Sequence, residues 1–132
     1  MSEWNDLMAT NATLPLFLTQ AFIPLLEKGN GCVINISDTL APSGIKNFSL
    51  YSGAKSALEG ITKSLAKELA PKIRVNAICP GTIKGDRMVR VIRDKAKFLN
   101  ISKKKIEKEF VSMASMNSWI YEEDIGKTCS FL

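Results

Sequence analysis

The order of apolar patterns along this 132-residue chain predicts an α/β fold with a doubly wound parallel sheet. Two short apolar runs rich in β-branched residues, CVINIS (32–37) and IRVNAICPG (73–81), indicate buried strands of the parallel type. Helical patterns precede, separate and follow these strands. Because a parallel sheet is covered on both faces and needs neighbouring strands, two strands predict a piece of such a domain.

The first predicted helix runs from Ser2 to Lys28. Ser2 is of a type that caps helix starts, apolar residues follow at helical spacing, and Gly29 and Gly31 mark the end. The most apolar run, 14–26, is too short to span a bilayer, and the acidic N-terminus differs from that of a signal peptide. The cytoplasm is therefore the predicted compartment.

Turn residues and periodicity predict the remaining elements. A loop is predicted over 38–50, followed by a long helix from Tyr51 to Leu69 that Pro71 stops. One or two basic amphipathic helices are predicted over 88–110, with a break at 100–102 and Ser102 as the cap of the second. The start of another helix is predicted at 122–132.

Histidine is absent, and the three cysteines Cys32, Cys79 and Cys129 are far apart. No metal site is predicted, because zinc would have too few ligands. The missing histidine also excludes Ser-His-Asp and Cys-His catalysis, so acid–base chemistry falls to Asp, Glu, Lys, Tyr or Cys. The cysteines are predicted to be reduced and buried.

Positive charge is concentrated in one segment. Between Lys84 and Lys108 there are ten Lys/Arg and three Asp/Glu, a net of +7, whereas the rest of the chain has eight and ten, a net of −2. The segment predicts either a solvated helical face or a surface that attracts an anionic substrate or cofactor phosphate. Nucleic-acid binding is not predicted, because the single aromatic residue Phe98 makes no stacking platform.

Tyr51 and Lys55 are four residues apart on a predicted helix, so their side chains lie on one face. A free tyrosine has a pKa of about 10, and a neighbouring cation lowers that pKa by favouring the phenolate. A phenol tuned in this way can exchange a proton with an alcohol or carbonyl near neutral pH. The bare spacing is more typical of a surface Tyr–Lys contact, so the surrounding sequence has to decide.

That surrounding stretch, YSGAKSALEGITKSLAKELAPKIRVNAICPGTI (51–83), resembles the active-site region of the short-chain dehydrogenase/reductase family. Members combine a Tyr-x-x-x-Lys helix, a Glu-Leu-Ala-Pro end, an Ile-Arg-Val-Asn strand and a Pro-Gly turn. The resemblance covers 4–81 and extends more loosely to 132. It implies a Rossmann-type sheet and one partial domain, with active-site elements at 1–83, a basic substrate loop at 84–118 and the start of a further helix at 119–132.

The resemblance also implies roles for the matching positions, with NADP or NAD as cofactor. Tyr51 would give or take the substrate proton, and Lys55 would lower the pKa of the tyrosine and bind the nicotinamide ribose. The turn containing Pro80, Gly81 and Ile83 would lie against the nicotinamide. Two residues after Ile83 the family usually has Thr, where this chain has Gly85 and so no hydroxyl.

Asn11 matches the asparagine that completes the proton relay in the family. Pro15 has no N–H, so the carbonyl of Asn11, four residues earlier, lacks its helical donor and can hold a water. The resemblance implies that this water leads towards Lys55. A plain helix kink is the alternative.

Asp38 stands thirteen residues before the tyrosine, where the family has its substrate-orienting serine. An ionised carboxylate only accepts hydrogen bonds, and beside a phenolate it raises the pKa of the phenol. Three alternatives stay open: Asp38 is protonated and donates, it accepts from a substrate rich in N–H groups, or Ser37 turns in and Asp38 is idle. Pteridine reductases of the family carry Asp here, so a pterin-like substrate stands beside a carbonyl or 3-oxoacyl substrate.

The chain contains no glycine-rich turn for a dinucleotide diphosphate. By the resemblance it corresponds to the second half of a family chain, without the N-terminal dinucleotide-binding half and the last strand. One expectation is a fragment or truncated form of an NAD(P)-dependent reductase. The alternative is an inactive remnant or assembly subunit that binds no cofactor on its own. The expected partner is either a second copy of the chain or a missing N-terminal half, and the resemblance implies that a homo-oligomer would form through the helices at 2–28 and 51–69. No membrane or nucleic-acid partner is expected.

Overall fold

A computed structural model describes residues 1–132. The chain divides into two compact units, Met1–Cys79 and Pro80–Leu132. The elements, in chain order, are α1 (Ser2–Met8), a π-helical turn (Ala9–Thr13), α2 (Leu14–Lys28), β1 (Cys32–Ile36), α3 (Leu40–Ser43), α4 (Ser49–Glu68), β2 (Arg74–Ile78), α5 (Asp86–Leu99), α6 (Lys103–Ser112) and α7 (Glu122–Phe131). The further division at 83 and 118 stays a prediction.

The two predicted strands pair in parallel. β1 and β2 lie in register from Cys32 opposite Arg74 to Ile36 opposite Ile78. The backbone N–H of Ser37 then donates to the carbonyl of Ile78 at 2.7 Å, which continues the ladder past the last residue of β1. The carboxyl ends of both strands therefore lie side by side, where ligands bind in open α/β sheets.

The core of unit Met1–Cys79 lies between α4 and the sheet. Its buried side chains are Leu65 of α4, Ile73 just before β2 and Val75 within β2. Burying such a side chain contributes about 1.5–3 kcal/mol. Seven partly buried residues pack around them: Leu16, Ile23, Leu26, Val33, Ile61, Ala66 and Leu69. This core fixes α4 against the strands.

The N-terminal helical segment is continuous over Ser2–Lys28, as predicted, but it begins differently. Met1 is the N-cap and Ser2 already lies inside the helix, so the prediction that Ser2 is the cap is wrong. Within the π-helical turn the N–H of Leu14 donates to the carbonyl of Ala9, five residues earlier. The wider turn directly precedes Pro15, which has no N–H to donate, so the helix continues through it without a break.

The same 27-residue helix is, by length and composition, long and apolar enough to cross a membrane, with a mean hydropathy of 1.2 in its apolar 18-residue window. The apolar run 14–26 is only part of this helix, so the length of the run does not by itself exclude a membrane span. Length and composition of this kind are shared by core helices of globular proteins. The predicted compartment stays a prediction.

The region predicted as a loop over 38–50 contains the short helix α3, and α4 begins at Ser49 instead of Tyr51. At the other end α4 stops at Glu68, one residue before the predicted end. Gly53 of α4 lies against the Trp4 ring of α1, where an added Cβ would be in ordinary van der Waals contact at 3.5 Å. These contacts align α1 and α4.

Unit Pro80–Leu132 is helical around a small separate core. The predicted break between two helices is confirmed: α5 ends at Asn100 in the left-handed conformation (φ 52°), and the hydroxyl of Ser102 accepts from the N–H of Lys105. Ile92 and Ala96 of α5 are buried against Ile106 of α6. The helix predicted at the C-terminal end is α7.

Candidate active site

Helix α4 carries a row of polar side chains towards the carboxyl end of β1. Tyr51, Lys55 and Glu59 are spaced at i, i+4 and i+8, so they lie on one face over two turns. Each contacts the last residue of β1 or one of the two residues that follow it. The helix therefore aligns three functional groups with a strand end, using only its own periodicity.

Tyr51 contacts Asp38 directly. Its hydroxyl donates to Oδ2 of Asp38 at 2.9 Å, and Oδ1 of the same carboxylate accepts from the backbone N–H of Leu40 at 2.9 Å. Both Tyr51 and Asp38 are partly buried. Both oxygens of the Asp38 side chain therefore act as hydrogen-bond acceptors.

Lys55 lies one turn beyond Tyr51 and also reaches the strand end. Its Nζ donates to the backbone carbonyl of Ile36 at 2.8 Å and lies 5.9 Å from the centroid of the Tyr51 ring. At this distance the ammonium is within range of a cation–π attraction. The structure thus brings the cation, the phenol and the carboxylate of Asp38 into one cluster.

Ser37, the alternative substrate-orienting residue, is buried and turned towards α4. Its hydroxyl is 3.2 Å from Oε1 of Glu59 and 3.4 Å from the backbone carbonyl of Lys55. For Ser37 to turn in and replace Asp38, both contacts would have to break. The geometry therefore favours the alternatives in which Asp38 itself meets the substrate.

Glu59 was missed by sequence reasoning, although its spacing of four residues from Lys55 was a usable signal. Besides Ser37 it accepts from the thiol of Cys79, with Sγ 3.3 Å from Oε1. Partial burial of the thiol is the largest cause that raises the pKa of Cys79, followed by the hydrogen bond to Glu59 and its charge, whereas the hydrogen bond with Ser37 lowers it. A raised pKa keeps the thiol protonated, as a donor to Glu59 must be.

The three cysteines are free thiols, as predicted, but none is fully buried. Cys32 and Cys129 are partly exposed, and Cys79 as a residue is exposed. The prediction of buried thiols is therefore wrong: Cys32 begins β1, Cys79 follows β2 and Cys129 lies on α7, and none of these positions is enclosed by the core. No group of three or more metal-ligating Cys, Asp or Glu side chains exists in residues 1–132.

Asn11 lies in the middle of the π-helical turn, which packs against α4. Its side-chain amide donates to the carbonyl of Leu7 at 3.0 Å, one turn back. π-Helical turns occur frequently at functional sites. A relay role for the carbonyl of Asn11 remains a prediction.

The residues expected to meet the nicotinamide belong to unit Pro80–Leu132. Pro80 is buried, Gly81 lies beside Ile120, and Ile83 forms a parallel bridge with Ile120. At Gly85 an added Cβ would lie 2.7 Å from a carboxylate oxygen of Glu122, so Glu122 occupies the space in which the expected Thr would stand. The cofactor roles of Pro80, Gly81 and Ile83 stay predictions.

Known proteins resemble this chain in sequence and in fold. A family model described as Enoyl-(Acyl carrier protein) reductase matches residues 1–132. Dehydrogenase/reductase SDR family member 4 from Homo sapiens is 45% identical over 83 residues, which is 61% of this chain and 30% of the relative.

Two solved structures share the fold over nearly the whole chain. A variant of actinorhodin polyketide ketoreductase with NADPH superposes with a TM-score of 0.88 at 26% identity, covering 98% of this chain and 51% of that one. FolM alternative dihydrofolate reductase 1 from Brucella canis, complexed with NADP, has a TM-score of 0.79 at 26% identity, covering 100% of this chain and 47% of that one.

The chain thus spans about a third of the length of the curated relatives and about half of the solved structures that it matches. Within that span the family model leaves no residue unmatched. The two strands that were predicted to be parallel are parallel, in a Rossmann-like arrangement shared with the ketoreductase. The chain is a member of the short-chain dehydrogenase/reductase family.

Proposed function

We propose that residues 1–132 form the catalytic half of an NAD(P)-dependent oxidoreductase in which Tyr51 is the acid–base group. The observation that carries this proposal is the cluster at the end of β1, where Asp38, Tyr51 and Lys55 meet. A cation beside a phenol favours its ionised form, and a nearby carboxylate can position a proton on it. The chain has no histidine, so a tyrosine with these two neighbours is the group suited to transfer a proton to the substrate.

The residues present fit one end of a nicotinamide cofactor. Hydroxyl and ammonium groups of Tyr51 and Lys55 lie together at the carboxyl ends of two parallel strands, a donor set suited to ribose hydroxyls. Residues 1–132 contain no glycine-rich turn for the diphosphate, so that end of the cofactor would be held by the half of the enzyme that this chain does not span. When bound, the cofactor supplies the hydride.

In this mechanism the chain's own groups handle the proton and the orientation. Tyr51 gives its hydroxyl proton to the substrate oxygen or nitrogen on which negative charge develops as the neighbouring carbon is reduced. Lys55 stabilises the phenolate left behind, and its bond to Ile36 holds it one turn from the phenol. The carbonyl of Asn11, in the widened turn against α4, would accept from a water that leads towards Lys55, and a proton would return to Tyr51 along this route.

Asp38 indicates the substrate class. Its carboxylate accepts from the Tyr51 hydroxyl and the Leu40 N–H, which supports the alternative in which it accepts from substrate N–H groups over the one in which it donates. A pterin-like substrate presents such groups, and one fold neighbour is named as an alternative dihydrofolate reductase. A carbonyl or 3-oxoacyl substrate, suggested by the neighbour named as a polyketide ketoreductase, is the second candidate.

A specific observation also favours an assembly role. Helix α2 exposes a row of large apolar side chains, each between 47% and 62% accessible: Leu14, Phe17, Leu18, Phe22 and Leu25. A surface of this kind is typical of an interaction site. It supports the expectation of a homo-oligomer, and it is equally compatible with a subunit that assembles without catalysing a reaction.

Cofactor binding and turnover separate the two proposed functions. NADPH and NADH are titrated against the chain while energy transfer from Trp4 and Trp119 is followed. Saturable binding to this chain alone would support the oxidoreductase, whereas a folded sample without binding leaves either a half-enzyme that needs its other half or the assembly subunit, and turnover then separates these two. In a catalytically competent form, Tyr51→Phe should reduce kcat by at least 10²-fold, in line with the contribution of acid–base groups.

The matched control is Tyr121→Phe, which removes the only other tyrosine hydroxyl of the chain. Tyr121 uses its backbone N–H, which donates to Asp124, to begin α7. Its hydroxyl should therefore be dispensable. Turnover that survives Tyr51→Phe as well as it survives Tyr121→Phe would exclude Tyr51 as the acid–base group.

A further inference from the structure

Three polar residues of α4 attach to three consecutive residues at the end of β1. Tyr51 contacts the side chain of Asp38, Lys55 contacts the carbonyl of Ile36, and Glu59 contacts the hydroxyl of Ser37. The first two contacts are made by groups already assigned to the reaction. The third is made by a residue that the reaction does not use.

Glu59 joins the ends of both strands to the helix. A single oxygen, Oε1, accepts from Ser37 at 3.2 Å and from Cys79 at 3.3 Å. Ser37 directly follows β1 and Cys79 directly follows β2, and the Ser37 N–H donates to the carbonyl of Ile78 between them. The carboxylate therefore closes a ring of contacts around the point where Asp38 leaves the sheet.

The Ser37 contact is the one that a substitution would most disturb. The residue is only 4% exposed, so its hydroxyl cannot exchange Glu59 for bulk water. Without Glu59 the hydroxyl would keep only the longer contact with the carbonyl of Lys55, at 3.4 Å. Because an under-satisfied buried hydroxyl is costly, Ser37 is expected to shift so as to shorten that contact. Because Asp38 is the next residue, a shift of Ser37 moves the carboxylate that accepts from Tyr51.

We propose that Glu59 is a positioning residue, which holds Ser37 and Cys79 so that Asp38 faces the hydroxyl of Tyr51. The inference deepens the proposed function and rests on it for the role of Tyr51 in the reaction. Glu59 acts through Ser37 and contacts no reacting group. Its pair with Lys63, at 4.0 Å and with Lys63 largely exposed, contributes little.

The first measurement is the alkylation of Cys79, followed by peptide mass spectrometry in the 132-residue chain. Glu59→Gln removes the charge that helps to raise the pKa of Cys79. The pKa should fall, and each unit of fall increases the thiolate fraction, and hence alkylation near neutral pH, about tenfold. Glu68→Gln removes the same charge from an exposed position on α4 and should leave the rate unchanged.

The second measurement is the pH midpoint of Tyr51 ionisation, read from phenolate absorbance. A Tyr121→Phe background leaves Tyr51 as the only tyrosine in the chain. If Glu59 positions Asp38, then Glu59→Gln shifts the midpoint in the same direction as Asp38→Asn. The double variant should match Asp38→Asn alone, because the second substitution has no contact left to disturb.

Three results would contradict the positioning role of Glu59. A direct charge effect of Glu59 on Tyr51 would add to the shift in the double variant. A purely stabilising role would lower the melting temperature and leave the Tyr51 midpoint unchanged. If Glu59→Gln does not fold, Ser37→Ala cuts the same link while the charge stays, and an unmoved midpoint in that variant overturns the inference.

These readouts are independent of turnover. Should Tyr51→Phe leave activity intact, the proposed function fails, yet a coupled shift of the Tyr51 midpoint would still show that Glu59 positions Asp38. Should Tyr51→Phe abolish activity while Glu59→Gln leaves both midpoint and kcat as they were, only the positioning role fails.

Discussion

At the scale of single residues, Asp38 stands at the position where the family resemblance implies a substrate-orienting serine. A serine there can donate to a substrate carbonyl, whereas the observed carboxylate accepts from Tyr51 and Leu40. The contact orients the phenol proton towards Asp38 in the absence of substrate. Substrate N–H groups would meet an acceptor that is already in place.

Substitution of Asp38 tests this substrate preference. Asp38→Ser supplies a donor and should raise kcat/KM for a simple ketone while lowering it for an oxidised pterin, about 10-fold or more in each case if one hydrogen bond to a charged group is exchanged. Steady-state rates with both substrates in a catalytically competent form provide the measurement. Thr39→Ser, which alters the exposed neighbour, is the control, and an unchanged ratio of the two rates would argue against substrate contact by Asp38.

At the scale of elements, the periodicity of α4 does most of the positioning. Its inner face packs Leu58 and Leu65 against the unit's interior, and an adjacent face carries Tyr51, Lys55 and Glu59. Because both faces belong to one rigid helix, the core fixes the polar row at the same time. In the other unit, α5 and α6 are separated by a left-handed residue and a cap instead of a continuous basic helix.

Loss of the cap at Ser102 tests that description. Ser102→Ala should lower the free energy of unfolding by about 0.5–2 kcal/mol, because the N–H of Lys105 loses its acceptor. Chemical denaturation measures the change. Ser115→Ala, at an exposed turn position with no cap to remove, should change it by less than about 0.5 kcal/mol. Equal effects of the two substitutions would contradict a capping role.

At the scale of the whole molecule, we expect the exposed apolar row on α2 to be covered by a partner surface. The exposed row extends from Leu14 to Leu25 along one side of α2. The opposite side of the same helix packs on the core through Leu16, Ile23 and Leu26. Such a two-sided apolar helix is normally covered on both sides. A second copy of the chain is the expected cover.

Polar substitution in this row should reduce self-association. Phe17→Ser together with Phe22→Ser removes two of the largest exposed side chains of α2, and the sedimentation distribution should move towards smaller species. Phe98→Ser, at an exposed phenylalanine of α5, is the control and should leave the distribution as it is. A monomer before substitution, or an unchanged oligomer after it, would mean that α2 is not the contact.

Much of the fold could be predicted from local sequence. The two strands, their parallel pairing, the long helix beginning near Tyr51 and the break capped by Ser102 all follow from period, β-branched content and turn residues. Those signals act over a few residues, so they survive in a chain that spans only half of a family structure. The positions of Tyr51 and Lys55 on one helix face are of the same local kind.

The remaining features depend on contacts between segments distant in the chain. Sequence alone left three roles open for Asp38, and only folding places Tyr51, thirteen residues away, against its carboxylate. Glu59 joins Ser37 and Cys79 across separations of 22 and 20 residues, which no local pattern encodes. The sequence by itself determined which chemical groups and which secondary elements exist. The tertiary structure decided which of those groups meet, because hydrogen bonding at the strand ends depends on how α4 packs onto the sheet.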